Sequence, residues 1–589
     1  MKYLFTCAIG PVQDFIATAR RSRDLWYGSW MLSELAKSAA KMISDQYTPG
    51  ALIFPSPQDS QMLEPSTELS VPNKVVAIID DPPEVVGDRI FNRINKRLAE
   101  LKDDAFRNVK GDFNAVMAEQ QVDDLIEFYW VGFELENEID YPKVRDIAEV
   151  LLASRKNTRD FAQMIGDHSA KSSLDGVRES VIPRTAYPQA NDSEQQRTSK
   201  IRDLYHNYNA RQSEHLSGVD LLKRLGTSKW LPKFKSTSHM AAQPFLERVT
   251  REKGESQMDT MLKTIQKQLD VPGRDNQEID GSIVFESRIA DWVPIGQQQD
   301  ILREQLTEVL QKYAGNLRPN PYYALLLADG DNMGKIIDAQ KDPAAHRNLS
   351  RALSEFAFEA PRIISGDQGV PVYAGGDDIL AYLPLHSVLG CAFKLEQTFI
   401  SMMKGFIAYD ENGEEIYPTL STGIVVAHHL MPLSDVLSMA RGAEKEAKGV
   451  EGKNGLAVTI SKRGGVERTI QGKWKDLYAR LHKLIEFTRT GAISAGTAYE
   501  LQELHRFLVQ TNVPVDGLVG EALRIVMRKR ESGGERVISK HVRVAFHQWL
   551  VQDNISSNDL AMEMIVAQMF ASVADLVEGS VQRKEETTL

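Results

Sequence analysis

Apolar and polar residues follow the clearest pattern in the central part of the 589-residue chain. Short apolar runs bounded by turn residues predict five strands, at 322–328, 370–374, 379–385, 419–427 and 456–461. Longer stretches between them predict three helices, at 332–364, 387–406 and 432–448. The order strand, helix, strand, strand, helix, strand, with one more helix and strand after it, is that of a ferredoxin-like fold.

Two acidic clusters lie where strands are predicted to end. Their residues are Asp329, Gly330 and Asp331 in the first cluster and Gly375, Gly376, Asp377 and Asp378 in the second. The first cluster follows a run typical of a strand buried on both faces. The second lies in a predicted hairpin turn, where Gly375 and Gly376 would supply positive φ angles. If the two strands are neighbours, both clusters meet at one edge of the sheet.

Each cluster alone is often a plain turn, because Asp and Gly favour turns. Their joint position argues for a site, since four carboxylates crowded at one edge repel one another unless divalent cations neutralise them. Carboxylate oxygens are hard ligands that suit Mg²⁺ or Mn²⁺. The sequence therefore predicts a metal site of the nucleotidyl-transferase kind.

The remaining sequence has two main features. The pattern is helical throughout after about residue 465, and the predicted helices are 474–488, 495–510, 518–530, 537–552 and 558–578. We predict four domains, at 1–140, 141–315, 316–465 and 466–589. The last domain contains a concentration of basic residues, which is most simply interpreted as a solvated face. The alternative is a contact with RNA phosphates or with an acidic partner surface. These residues are Arg524, Arg528, Lys529, Arg530, Arg536, Lys540 and Arg543.

Several segments resemble one known family. The stretches LLLADGDNMGK, VPVYAGGDDILAYLPL and NGLAVTISKR are similar to the catalytic palm of the large polymerase/cyclase subunit of type III-B (Cmr-type) CRISPR effector complexes. The opening AIGPVQDFIATARRSRDLWYGSWMLSELA resembles the first palm of that subunit. Diguanylate cyclases share parts of these motifs, although Ile379 replaces their Phe and Lys453 their Arg. The likeness is patchy but runs from residue 1 to about 465.

The resemblance implies an α+β fold with two ferredoxin-like palms, a helical region between them and a C-terminal helical bundle. It also implies synthesis of cyclic oligoadenylate from ATP when the complex has bound target RNA. The expected partners are the other Cmr-type subunits, guide RNA and target RNA. Asp329, Asp377 and Asp378 would be catalytic, and the first two would bind the metals with the carbonyl of Gly330 and support from Asp378.

The resemblance also implies nucleotide contacts. Lys448 corresponds to a cyclase lysine that pairs with the triphosphate, as a point charge. Asp331 would act as a supporting or alternate metal ligand. Gly330, Gly375 and Gly376 would form the backbone that approaches the nucleotide.

An internal comparison supports a second, degenerate palm at the start of the chain. Aligning Tyr3 on Tyr323 places Gly10 on Gly330 without a gap, so that Ile9 and Pro11 stand where the later copy has acids. The run Leu52-Ile-Phe-Pro-Ser-Pro likewise carries proline and serine at the second acidic position. The first palm therefore cannot hold the metals. It can provide the facing half of a nucleotide pocket, with Ser56 as a candidate contact.

Composition limits the alternatives. A net charge of -11 argues against a free-standing nucleic-acid binder, which is usually basic. With only two cysteines there is no disulfide framework and no Cys₄ zinc site, although 171–180 resembles a segment that often binds zinc in the family. We expect no membrane span and a cytoplasmic protein. No His-Asp dipeptide occurs, and the chain begins directly with the first palm, so we expect no HD-type nuclease.

Two other functions stay open at this point. The chain could be an inactive scaffold subunit that binds RNA and partner subunits, but four intact acids argue against a decayed site. It could also make another messenger from ATP, such as an S-adenosylmethionine-AMP conjugate or a cyclic dinucleotide.

Overall fold

The computed structural model describes residues 1–48, 50–158, 166, 169–228, 234–269, 279–291, 293, 296–509, 515–528 and 540–579. In these residues a four-stranded sheet with helices is followed by a helical region, a six-stranded sheet with helices, and a C-terminal group of helices. The mixed α+β fold class expected from the sequence is confirmed.

The first palm is built on a short antiparallel sheet. Its elements are β1 (Tyr3–Gly10), α1 (Gln13–Ala17), α2 (Ser22–Gln46), β2 (Leu52–Phe54), β3 (Lys74–Ile79), α3 (Pro83–Arg107), α4 (Ala115–Asp123) and β4 (Glu127–Glu134). The strand order is β2-β3-β1-β4, and neighbouring strands are antiparallel. Helix α3 buries an apolar stripe at the spacing of an amphipathic helix: Val86, Ile90, Ile94, Leu98, Leu101 and Ala105.

A helical region connects the palms. Its helices are α5 (Tyr141–Lys156), α6 (Glu194–Tyr208), α7 (Gly218–Leu225), α8 (Thr237–Lys253), α9 (Glu255–Gln268) and α10 (Gln297–Ala314). The segment compared above with a zinc-binding one is tied to α7 by hydrogen bonds. Ser172 and Ser217 each donate from Oγ to Oδ2 of the buried Asp220, at 2.7 Å. The carboxylate of Asp220 thus joins this segment to the start of α7.

The second palm is larger. Its elements are β5 (Tyr322–Asp331), α11 (Met333–Asp338), α12 (Pro343–Gly366), β6 (Val370–Gly375), β7 (Asp378–Leu383), α13 (Val388–Met402), β8 (Ala408–Tyr409), β9 (Glu415–Ile416), β10 (Thr419–His428), α14 (Leu433–Lys448), β11 (Gly455–Ile460) and β12 (Arg468–Lys473). The main sheet has the order β12-β11-β10-β5-β7-β6, while β8 and β9 form a separate pair. The predicted strands are confirmed, within three residues at each end.

Two sequence predictions about this palm are wrong in detail. The helical stretch predicted at 332–364 is two helices, because Asp342 caps a new helix that begins at Pro343. Proline is favoured in the first turn of a helix, where its missing N–H costs nothing. The prediction that the chain is helical throughout after residue 465 is also wrong, because β12 extends the sheet by pairing antiparallel with β11.

The two palms share one topology. The order β6-β7-β5-β10 in the second sheet repeats the order β2-β3-β1-β4 of the first. Helix α2 packs against β6, and α12 packs against β2, so a helix of each palm covers the edge strand of the other. Arg347 Nη1 donates across this contact to the carbonyl of Gly50 at 2.6 Å. The internal repeat inferred from sequence is therefore also present in the sheet topology.

The C-terminal helices pack against the second palm. They are α15 (Trp474–Arg489), α16 (Ala495–Val509), α17 (Val515–Arg528) and α18 (Lys540–His547), followed by a π-helical turn (Gln548–Gln552) and α19 (Ser557–Glu578). Phe570 and Val573 of α19 join the core of the second palm, whereas Leu560 and Met564 join the core of the bundle. Of the basic residues noted above, Lys529, Arg530 and Arg536 lie outside the described residues.

Helix α19 is also the one helix in the described part of the chain that is long and apolar enough to cross a membrane. The sequence analysis, which expected no membrane span, did not single this stretch out. However, 67% of its most apolar window is buried inside the protein. Its apolar character is accounted for by the two cores that it joins.

Candidate functional site

Strand pairing brings the two acidic clusters together. Strand β5 pairs antiparallel with β7 up to the pair Ala328 and Ile379. Asp329 and Asp378 are the next residues along these two strands. The clusters therefore meet at one edge of the sheet, as the sequence predicted.

The turn between β6 and β7 places Asp377. Gly375 pairs with Asp378, which leaves Gly376 and Asp377 as a two-residue turn. Only Gly376 has a positive φ, of 72°, so the expectation that both glycines supply one is wrong. Gly375 is required for another reason: a Cβ there would lie 2.3 Å from the hydroxyl oxygen of Tyr373.

The turn that carries Asp377 lies very close to Gly330 of the first cluster. A Cβ at this position would lie 2.7 Å from Cβ of Asp377 and 2.9 Å from its Oδ2. Real Cβ atoms do not come so close to other atoms, so only glycine fits here. The absence of a side chain at Gly330 allows the hairpin turn to lie directly over the first cluster.

Lys448 lies on the first cluster. Its ammonium forms an ion pair with Oδ2 of Asp329 and a second one, at 2.9 Å, with Oε1 of Glu444 one turn earlier on α14. Burial and the nearby Lys453 lower the pKa of Lys448. The lysine predicted from sequence thus reaches the site. Glu444, which the sequence analysis did not single out, comes with it.

The carboxylates of the second cluster are poorly compensated. Burial raises the pKa of Asp377 to about 6. Burial, together with the charges of Asp377 and Glu444, raises the pKa of Asp378 to about 7. Both shifts mean that the ionised form is disfavoured in the folded protein. A bound cation would reverse that preference.

The donor set fits hard divalent cations, although it does not form a closed cage. Among the described residues, no three His, Cys, Asp or Glu side chains stand around one point at ligand distances. Strand pairing nevertheless places Asp329 and Asp378 on neighbouring strands and Asp377 against Gly330, and Lys448 supplies a positive charge beside Asp329. Carboxylate and carbonyl oxygens are the donors that Mg²⁺ and Mn²⁺ take.

Asp331 anchors the strands next to the site, while its role as a supporting or alternate metal ligand stays a prediction. Its side chain is fully buried, and its Oδ2 accepts hydrogen bonds from three groups. The donors are Thr419 Oγ1 at 2.7 Å, Ser421 Oγ at 2.8 Å and the backbone N–H of Asn454 at 3.0 Å. Its other oxygen, Oδ1, is buried without a hydrogen-bond partner. Through Oδ2, Asp331 ties β5 to β10 and to the turn before β11.

We expect Asp331→Ala to loosen this part of the sheet by about 2–3 kcal/mol, because three donors lose a charged acceptor. The measurement is amide hydrogen exchange at Asn454, which should become about 30-fold faster or more. Asp331→Asn keeps a carbonyl acceptor and should retain most of the protection. Equal exchange in the wild type and in Asp331→Ala would show that Asp331 does not anchor the sheet.

The first palm contributes to the surroundings of the turn. The nearest atom to a Cβ built at Gly376 is Cγ of Pro72 in the first palm, at 3.9 Å. Ser56 follows β2 and is buried, next to the strand that α12 covers. The residue shown beside the acidic turn is thus Pro72, while a nucleotide contact by Ser56 stays a prediction.

A cavity of about 420 Å³ lies between the palms along β6. Its lining comes mainly from α2, α12 and β6. The lining is rich in aromatic residues, namely Trp26, Trp30, Phe234, Phe358 and Tyr373. None of the acidic residues of the site lines it. The contact between the palms is therefore incompletely packed next to the strand that leads into the turn.

Fold and site together define a palm of the nucleotidyl-transfer type: a βαββαβ sheet whose strand ends carry converging carboxylates beside a lysine. Comparison with known families specifies this further. The description "Cas10/Cmr2, second palm domain" matches residues 322–457, and "CRISPR-associated protein Cmr2, N-terminal" matches residues 4–103. Both descriptions concern Cas10/Cmr2 proteins, which confirms the resemblance to the Cmr-type (type III-B) subunit.

Individual relatives agree with this assignment. The chain is 25% identical over 557 residues to "CRISPR system Cmr subunit Cmr2" of Pyrococcus furiosus, a match that covers 78% of this chain and 62% of that protein. It is 30% identical to the Cmr2 subunit of Saccharolobus solfataricus over 118 residues, 18% of this chain and 11% of that protein. The chain thus spans about three fifths of the length of the Pyrococcus relative.

Solved structures share the fold. A chain in the cryo-EM structure of the type III-B Cmr-beta complex in its apo state matches with a TM-score of 0.63 and 15% identity, over 91% of this chain and 78% of that one. A chain in the Cmr-beta complex bound to cognate target RNA matches with a TM-score of 0.62 and 14% identity, over 96% and 83% of the two chains. At such identities the likeness concerns the fold.

Proposed function

We propose that this chain is the nucleotide-polymerising subunit of a cytoplasmic, RNA-guided type III-B CRISPR complex. In this proposal it makes cyclic oligoadenylate from ATP, by 3′–5′ nucleotidyl transfer, when the complex has bound target RNA. The observation that carries the proposal is the approach of the two acidic clusters, in which Asp377 lies over Gly330, the residue that follows Asp329. A solvated turn would not require such an approach.

Each residue of the site has a role in this reaction. Asp329 and Asp377, with the carbonyl of Gly330, would hold two Mg²⁺ or Mn²⁺ ions, and Asp378 would support them. When bound, the cations would activate a ribose 3′-hydroxyl and neutralise charge on the α-phosphate and the departing pyrophosphate. Most of the residues' contribution is then positioning and electrostatic stabilisation.

Lys448 would bind the triphosphate. Its ammonium carries three N–H donors, and the ion pairs with Asp329 and Glu444 leave one of them for a phosphate oxygen. The facing first palm, which lacks acids at the corresponding positions, would enclose the second nucleotide. The contact of Pro72 with the turn supports this, because it places the first palm at the catalytic edge.

The partners are proposed from the relatives. The matched structures belong to Cmr-beta complexes, one of them bound to target RNA. We infer that this chain likewise assembles with other Cmr-type subunits, guide RNA and target RNA. The net charge of -11 agrees with RNA being held jointly with partner subunits rather than by this chain alone.

The test is to reconstitute the complex with guide RNA and matching target RNA, supply ATP and Mg²⁺, and identify products by mass spectrometry. Cyclic adenylates that disappear in the variant carrying Asp377→Ala and Asp378→Ala would support the proposal. Normal assembly without any ATP-derived product would instead show a scaffold subunit. A product that incorporates S-adenosylmethionine, supplied in a parallel reaction, would point to the other class of messenger.

A further inference from the structure

Glu444 is the acidic residue of the site that neither cluster contains. It lies on α14 four residues before Lys448, and its Oε1 is 2.9 Å from the lysine Nζ. Its side chain is 18% exposed and that of Lys448 is 33% exposed, so both reach the edge of the site. A Glu and a Lys four residues apart on an exposed helix face are common. This pair differs because the lysine also contacts Asp329.

The backbone fixes the position of this pair. Gly423 of β10 lies directly under α14, where a Cβ would be 2.4 Å from the backbone nitrogen of Glu444. Gly455 of β11 lies one turn further along, where a Cβ would be 2.0 Å from the carbonyl oxygen of Ala447. The two glycines let the helix approach the sheet closely at the residues beside the pair. The helix therefore has little freedom to move Glu444 or Lys448.

Charge explains why a second carboxylate is needed. Lys448 pairs with Asp329, the same residue that the proposed function assigns to the cations. One carboxylate oxygen cannot serve an ammonium and a divalent cation equally. If Asp329 were the sole anionic partner, Lys448 would lose its anchor whenever the site is loaded. Glu444 keeps an anion next to the lysine that is not needed as a ligand.

We propose that Glu444 is a positioning residue that holds the Lys448 ammonium at the acidic edge, aimed at the triphosphate of the bound nucleotide. The inference rests on the proposed function, since it concerns the same site. It assigns Glu444 no contact with the substrate. The proposed effect on triphosphate binding passes through Lys448, and a double-mutant cycle tests it separately from the charge that Glu444 places near Asp378.

The experiment measures nucleotide binding by isothermal titration calorimetry, with Mg²⁺ and the non-reacting analogue α,β-methylene-ATP, and with AMP for comparison. We expect Glu444→Gln to weaken binding of the analogue about three- to tenfold and to leave AMP binding unchanged, because AMP lacks the outer phosphates. Glu444→Asp should restore part of the affinity. Adding Glu444→Gln to Lys448→Met should cause no further loss.

The control is Glu446→Gln, which removes the same charge from an exposed position two residues further along α14. It should leave binding of both nucleotides unchanged. Equal weakening of the analogue and AMP, or a full additional loss on the Lys448→Met background, would overturn the role of Glu444. Binding of neither nucleotide by the wild-type protein would contradict the proposed function itself. A Glu444→Gln variant that binds the analogue as tightly as the wild type would contradict only the role of Glu444.

Discussion

Asp329→Asn and Asp377→Asn should each slow nucleotide polymerisation by the reconstituted complex at least about 10³-fold. Each substitution keeps the size of the side chain but removes the negative charge that a divalent cation needs. Because both residues would serve one pair of cations, their effects should not add. The double variant should be about as slow as either single variant.

The measurement for this first prediction is the rate of pyrophosphate release in the presence of target RNA. Asp435→Asn is the matched control, since Asp435 is an exposed acid in the first turn of α14 of the same palm. It should keep nearly the full rate. Full activity in either site variant, or effects that multiply in the double variant, would mean that the two acids do not act as a unit.

Gly423→Ala should damage the site strongly, although Gly423 carries no functional group. Its Cβ would meet the backbone nitrogen of Glu444 at 2.4 Å and the carbonyl carbon of Ala443 at 2.7 Å. Backbone atoms of a packed helix cannot move aside cheaply, so α14 must shift away from the sheet. Overpacking of this kind costs about 1–3 kcal/mol or more. Displacing Lys448 by about 1 Å should also lower the polymerisation rate by about 10²-fold.

Gly442→Ala provides the contrast on the same helix. A Cβ at Gly442 meets nothing within 4 Å. That substitution should stabilise α14 by about 0.5–1 kcal/mol, because alanine favours the helix over glycine. Denaturant unfolding and the pyrophosphate assay together distinguish the two variants. If Gly423→Ala were as stable and active as the wild type, α14 would not position the site as described.

The backbone of the site could be predicted from sequence because its signals are local. A buried apolar run predicts β5, and glycines between two apolar runs predict the hairpin of β6 and β7. Their neighbourhood in the sheet followed from the ferredoxin-like order. The function of each glycine was less accessible. Gly376 is needed for its φ of 72°. Gly330 and Gly375 are needed because a Cβ there would occupy space that the side chains of Asp377 and Tyr373 fill.

The side-chain roles depended on contacts that sequence does not reveal. Asp329 and Asp331 lie two residues apart on one strand, so alternation places them on the same face. Which of them is enclosed depends on Thr419, Ser421 and Asn454, which are 88, 90 and 123 residues away from Asp331. The sequence therefore placed Asp331 at the site as a supporting acid but could not show the strands that it anchors.

Glu444 was missed for the opposite reason. A glutamate four residues before a lysine is an ordinary surface pair on a helix and predicts nothing by itself. Its position matters because Gly423 and Gly455 bring that turn of α14 against the sheet, and because Asp329 meets the same lysine. The signal for Glu444 is the close approach of α14 to Gly423 and Gly455, which only the folded chain reveals.

The central claim is that the two acidic clusters bind one shared pair of cations. The most direct test is to locate Mn²⁺ by anomalous scattering in crystals of the chain grown with α,β-methylene-ATP. The account predicts two Mn²⁺ ions about 3.5–4 Å apart, each within bonding distance of Asp329 or Asp377. Mn²⁺ bound by one cluster alone, or absent from both while the nucleotide is bound elsewhere, would contradict it.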